Sequence, residues 1–134
     1  MTASDVPDLI HLADDLGNGV VHRFTALDGD VLTGEIEVCS PFVNGRVPST
    51  VFPDELDEWG EVLDDLDRGD NTAWREDGRG AEIWLELDDD DRLHVTVVDG
   101  RASLTAVELT IEVPDGWLDD HYARLDALRK AIAT

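Results

Sequence analysis

The sequence predicts an α+β domain built in the order strands, helix, strands, helix, and three patterns lead there. Between Pro53 and Gly69, Leu56, Trp59, Leu63 and Leu66 recur at three- and four-residue spacing, which puts them on one helical stripe with acids at most other positions. Alternation of apolar and polar residues in Glu82–Leu87, Leu93–Val97 and Ser103–Val113 marks strands with one buried face. Short turns rich in Gly, Asn and Asp join successive strands, so neighbours pair antiparallel as meanders. The expected architecture is one twisted antiparallel sheet of about six to eight strands, with both amphipathic helices packed on one face.

Taken in order, Leu9 to Ala13 reads as a short strand, and Leu16 to Gly19 as the turn after it, because Gly and Asn supply the positive φ angles of a hairpin loop. Val20 to Leu27 alternates Val20, His22, Phe24 and Ala26 against Val21, Arg23 and Thr25. Asp28-Gly29-Asp30 then turns the chain into Val31 to Cys39, where Ile36 and Val38 oppose Glu35 and Glu37. Pro41 to Gly45 breaks the run. Arg46 to Phe52 can return as a fourth strand, an edge strand or a short one, since Pro48 has no N–H to give a neighbour. Pro53 suits the first turn of the central helix and Gly69 the left-handed residue that ends it.

Thr72 to Glu76 forms a short strand around Trp74, and a loop follows from Glu76 to Gly80. Asp88 to Asp91 is a solvated hairpin tip, Asp99-Gly100-Arg101 a turn, and Pro114-Asp115-Gly116 the end of the last strand. From Trp117 to Ala133, the positions of Leu118, Tyr122, Leu125, Leu128 and Ile132 trace a second amphipathic helix, with Arg124, Arg129 and Lys130 where cations suit the helix dipole. Each half ends in a helix, an order compatible with a distant duplication.

The 134 residues suffice for one core and are short for two, so one acidic domain over residues 1–134 is expected, ordered over about 9–132. Hydrophobic content of 42% with clear periodicity argues for folding despite a net charge of −22. No run approaches the ~20 apolar residues of a membrane span, and the N-terminus lacks the basic start and apolar core of a signal peptide. A cytoplasmic protein without membrane contact is expected. The single Cys39 excludes a disulfide within the chain and reads as a small buried hydrophobe. Genome composition, adaptation to high salt and mimicry of nucleic-acid phosphates each account for 32 acidic against 10 basic residues. Whatever its origin, such a field repels nucleic acid and speeds association with a basic protein.

Candidate chemistry is sparse. His11, His22, His94 and His121 lack the spacing of a metal or nucleophile motif, although His22 and His94 can approach one another across a sheet. Asp88 to Asp91 lacks the alternating ligands of a calcium loop, and no Walker motif or Gly-x-Ser-x-Gly elbow occurs. No cofactor, metal site or catalytic residue is expected. Trp84 is different: it lies opposite Ile83 and Leu85 between two acids, where an exposed indole makes a partner anchor. The acids Asp54, Glu55, Glu58, Glu61 and Asp65 on the central helix complete the expected partner-binding set.

Phe42 to Arg46, the Leu56/Trp59/Leu63/Leu66/Gly69 helix, Ile83 to Leu87, the acidic turn, Leu93 to Val97 and Gly116-Trp117-Leu118 together give a pattern that resembles uncharacterised actinobacterial small domain proteins. More distantly, it is similar to WapI-type immunity proteins. The resemblance implies a non-enzymatic binder of a basic partner such as a toxin, and it carries no catalytic residues over. The competing expectation is a small ligand-binding domain or enzyme with a site in a sheet–helix cleft near His22 or His94.

Overall fold

The computed structural model describes residues 6–75, 80–100 and 104–133. Most of the loop expected after Trp74, residues 76–79, and the expected turn residue Arg101 lie outside the described residues. The fold is α+β with the expected element order, but its strands form two four-stranded antiparallel sheets instead of one. The first meander comprises β1 (Ile10–Ala13), β2 (Gly19–Asp28), β3 (Val31–Cys39) and β4 (Asn44–Val51), followed by α1 (Pro53–Asp67). The second comprises β5 (Thr72–Trp74), β6 (Glu82–Leu87), β7 (Arg92–Asp99) and β8 (Thr105–Glu112), followed by α2 (Trp117–Ala133). Short turns dictate pairing only within each meander. Between β4 and β5 the connection is a helix, so no local geometry joins the two sets of strands.

The two halves close on one another. α1 and α2 pack together, and each reaches across to the first strand of the opposite half, α1 to β5 and α2 to β1. This replaces the expected arrangement of both helices on one face of one sheet. Ile10, Leu12, Val20, Ile36 and Val38 from the first sheet, and Ile83, Leu85, Val95 and Ile111 from the second, share one hydrophobic core with the α1 stripe and with Leu125 and Leu128 of α2. The expected alternation of Ile83, Leu85, Val95 and Val97 is that buried face, and Trp59 is 1% exposed. Trp117, in contrast, is only half-buried at the start of α2.

A bulge adjusts β2 to this core. Phe24 pairs with Gly34 but Ala26 pairs with Thr33, leaving Thr25 as the extra residue. The shift turns Leu27 inward with Val20, His22 and Phe24, an outcome that uninterrupted period-two alternation forbids. It also presses the two backbones together: a Cβ on Gly34 would stand 1.9 Å from the carbonyl oxygen of Arg23. Gly34→Ala is therefore expected to destabilise the fold by about 3 kcal/mol, the upper end of ordinary overpacking. Urea denaturation checks this, and a loss under about 0.5 kcal/mol would show that the bulge relaxes freely.

Candidate functional site

Two places gather polar side chains, one buried and one open. The buried one is centred on Arg75, which follows β5 in a left-handed conformation (φ 60°) and is 1% exposed. Its backbone N–H donates to the Glu58 carboxylate, and its guanidinium donates to Thr50 O at 3.2 Å and Ser49 Oγ at 2.8 Å on β4. Glu55 Oε2 lies 3.8 Å from Nη1, and the guanidinium carbon sits 4.0 Å from the centre of the Trp74 ring. Trp74 in turn donates Nε1–H to Glu55 O at 2.9 Å and packs edge-on against Trp59.

His22 lies beside this cluster, its ring 5.6 Å from that of Trp74 and 4.8 Å from that of Phe24. Neither ring nitrogen has a hydrogen-bond partner among the described residues. Burial, and then the Arg75 charge, holds its pKa well below the usual histidine value, so the ring packs as a neutral aromatic. His22 faces the core from the first sheet, while His94 stands on the outer face of the second. The two lie on opposite sides of their sheets and do not meet.

Several expected partner contacts belong instead to this internal network. Glu55 is 4% exposed and accepts the Phe52 N–H at 3.0 Å while lying beside Arg75, so it is unavailable to a partner. Glu58 is half-buried on Arg75, and Asp65 is half-buried while accepting from Thr72 Oγ1 at 2.8 Å. Further acids of α1 hold α2: Asp64 accepts the Tyr122 hydroxyl at 2.7 Å, and Asp57 lies 3.3 Å from Arg129. Burial and that carboxylate push the Tyr122 phenol up to about 12. Asp54 and Glu61 remain exposed. Of the acids of α1, Glu55 is thus built into the core, Glu58 and Asp65 are half-buried, and Asp57 and Asp64 hold α2 at the surface. Sequence spacing did not single out Arg75, although an arginine directly after a buried strand tryptophan was the available signal.

The open place is the outer face of the second sheet. Alternation turns Trp84 and Glu86 of β6, His94 and Thr96 of β7, and Glu108 and Thr110 of β8 away from the core. Register lines them into two rows, Trp84–Thr96–Glu108 and Glu86–His94–Thr110. Between them opens a depression of about 640 Å³, bordered also by Asn71 and Thr72. Trp84 is 40% exposed there, with Nε1–H donated to Glu82 at 3.2 Å. Glu82 on its own strand accepts from the indole, and Glu86 and, beyond Thr96, Glu108 border the same depression. An indole face with carboxylates about it is chemically suited to a cation.

His94 is fixed at the edge of this depression. Nε2 lies 2.9 Å from Asp88 Oδ2 and Nδ1 lies 2.9 Å from Thr110 Oγ1. Asp88 also accepts the backbone N–H groups of Asp90 and Arg92, and these bonds, that from Arg92 first, lower its pKa to about 2. The same contacts order the β6–β7 tip. A second histidine, His121, is buried in α2: Nδ1–H donates to Trp117 O at 2.7 Å, leaving Nε2 to accept the His11 N–H of β1 at 3.1 Å. Burial lowers its pKa, which keeps it in that neutral form. Half-buried Cys39 has its thiol pushed up by burial and by Glu37, away from nucleophilic use. Among the described residues, no group of three or more His, Cys, Asp or Glu is placed to hold a metal, and no helix is long and apolar enough to cross a membrane.

Residues 7–133 match the model of a family of unknown function, DUF5959. The chain belongs to that family. No curated protein and no solved structure matches the chain. The match takes in both meanders and both helices, so the Arg75 cluster and the Trp84 face lie within the region matched by the DUF5959 model.

Two expectations follow for the buried cluster. Arg75→Met leaves the Glu55 carboxylate buried without its guanidinium and should cost about 3–5 kcal/mol, whereas adding Glu55→Gln should recover part of that, since the amide oxygen still accepts the Phe52 N–H. Denaturation of the two single variants and the double variant reads the coupling, and strict additivity would show that the ion pair is inert. For His22, the unfolded chain binds a proton below about pH 6.5 that the folded chain does not, so stability falls as pH drops through that value. From pH 7 to pH 5 the His22 contribution is a loss of about 2 kcal/mol, which His22→Leu should abolish while His121 retains its own loss in the same direction. Equal pH slopes for His22→Leu and the native chain would rule this out.

Proposed function

We propose that this DUF5959 protein is a non-enzymatic binding module for a basic protein, acting in the cytoplasm as an immunity or antitoxin-like partner of a toxin. The observation that carries this reading is the exposed Trp84 set among Glu82, Glu86 and Glu108 over an open depression, on a chain of net charge −22. An aromatic anchor supplies the short-range contact that slows dissociation, and the surrounding carboxylates supply selectivity for Lys and Arg. The overall field accelerates encounter with a basic protein and repels nucleic acid and anionic lipid. Resemblance to WapI-type immunity proteins agrees with this role. Asp54 and Glu61 on α1 add long-range attraction, whereas Glu55, Glu58 and Asp65 serve the fold.

A small-molecule reading draws on one feature, the placement of His94 beside Glu86 and Glu108 in the same depression. The openness of the face to water, and the use of His94 to tie Asp88 to Thr110, favour the protein-binding reading.

The test starts with affinity isolation from the native host at about 0.15 M salt, identification of the bound protein, and kinetics on the purified pair. Trp84→Ala is expected to raise the dissociation rate about tenfold or more, the effect of losing a desolvated aromatic anchor. Glu86→Lys with Glu108→Lys should slow association and flatten its salt dependence. An acidic partner, a nucleic-acid partner, or kinetics indifferent to these changes would overturn the proposal.

A further inference from the structure

Each sheet presents two edges, and three of the four are visibly protected. β5 lies under α1, and β1 lies under α2, whose His121 takes the His11 N–H. β4 contains Pro48 and is held at Ser49 and Thr50 by Arg75. Among the described residues β8 ends the order of the second sheet; it meets β1, and the Glu112 N–H at its end donates to Asp14 at 3.3 Å, while Ala106–Thr110 has no strand beyond it. It has no proline, and along Thr105–Glu112 its charged residues are Glu108 and Glu112. An edge strand whose charged residues are acids turns away another copy of a chain of net charge −22 and invites a basic strand.

The ground beside that edge has the spacing of a strand. An apolar slot of about 190 Å³ is bordered by Val47, Val97 and Val107, and a neighbouring hollow of about 390 Å³ by Phe42, Val43 and Leu109. Val107 and Leu109 are two residues apart and point to the same side, so the recesses match alternate side chains of a strand laid along β8. Glu108, between them, points to the opposite side and borders the depression around Trp84. Phe42 at the rim is 93% exposed, and Leu104 at the start of the strand is 78% exposed.

We infer that the edge of β8 along Ala106–Thr110, which no other strand pairs among the described residues, takes up an extended segment of the basic partner as an added strand, with alternate apolar residues in the recesses beside Val107 and Leu109 and basic residues beside Glu108. This rests on the reading of the partner as basic and adds how it binds. Main-chain hydrogen bonds to β8 supply affinity, and the alternation supplies selectivity.

The test uses the full chain and a synthetic peptide of alternating valine and lysine about as long as β8, with a peptide of the same composition in two blocks as control. The alternating peptide should bind at low salt, move the amide resonances of Thr105–Glu112 and of Ser40 to Val43, and bind about tenfold tighter than the block peptide. Phe42→Asp, at a site too exposed to affect folding, should weaken it about tenfold. Equal binding of both peptides, or shifts confined to α1 or to the Trp84 face with Phe42→Asp without effect, would overturn strand addition while leaving the basic-partner reading in place. Absence of binding by either peptide would overturn both. A dimer in sedimentation that Phe42→Asp dissolves would assign the edge to a second copy and overturn the proposal.

Discussion

The placement of one cation inside the core organises much of what surrounds it. Arg75 brings together α1 through Glu55 and Glu58, β4 through Ser49 and Thr50, and β5 through the Trp74 ring on which its guanidinium lies. Removing a guanidinium from water is costly, and the cost is offset only when its fork of donors meets oxygen atoms already held in place. Here those oxygens belong to elements of the first half, while Arg75 belongs to the second. The ion pair therefore specifies how the halves meet as well as contributing to stability. The neutral His22 beside it completes an aromatic layer with Phe24, Trp74 and Trp59, and the guanidinium lies over the Trp74 ring.

A repeating logic runs through both halves. Each is a four-stranded meander closed by a helix, and each helix covers the first strand of the other half. In both cases a helix side chain accepts a backbone N–H there: Glu58 from Arg75, just after β5, and His121 from His11 in β1. These contacts protect sheet edges that would otherwise be open to further pairing. Among the described residues no helix covers β8 in this way; there the side chain of Asp14 accepts the N–H of Glu112 at the end of the strand.

The charge of the chain is used in two ways. Acids of α1 that look like a solvated surface in the sequence are partly spent on Arg75, Thr72, Tyr122 and Arg129. Those on the second sheet, Glu82, Glu86 and Glu108, surround an exposed indole instead. Similar residues thus hold the fold together in one place and line an open face in the other, according to which donors of the chain come within reach.

Local pattern alone determined the helices at Pro53–Asp67 and Trp117–Ala133, the strands around Ile83 and Leu109, and the outward setting of Trp84, because three-residue and two-residue periodicities need no knowledge of distant contacts. The negative field was equally legible, being a sum over residues. The division into two sheets was not, since α1 separates β4 from β5 and no turn geometry relates them. The bulge at Thr25 lay hidden for a similar reason: its only trace is a glycine on the neighbouring strand, Gly34, whose missing Cβ matters once β2 and β3 are paired. Burial of Glu55, separation of His22 from His94, and the exposed edge of β8 were decided by tertiary structure. Each depends on which long-range donor or neighbouring element arrives at that position, and a side chain's own place in a helix or strand carries no record of it.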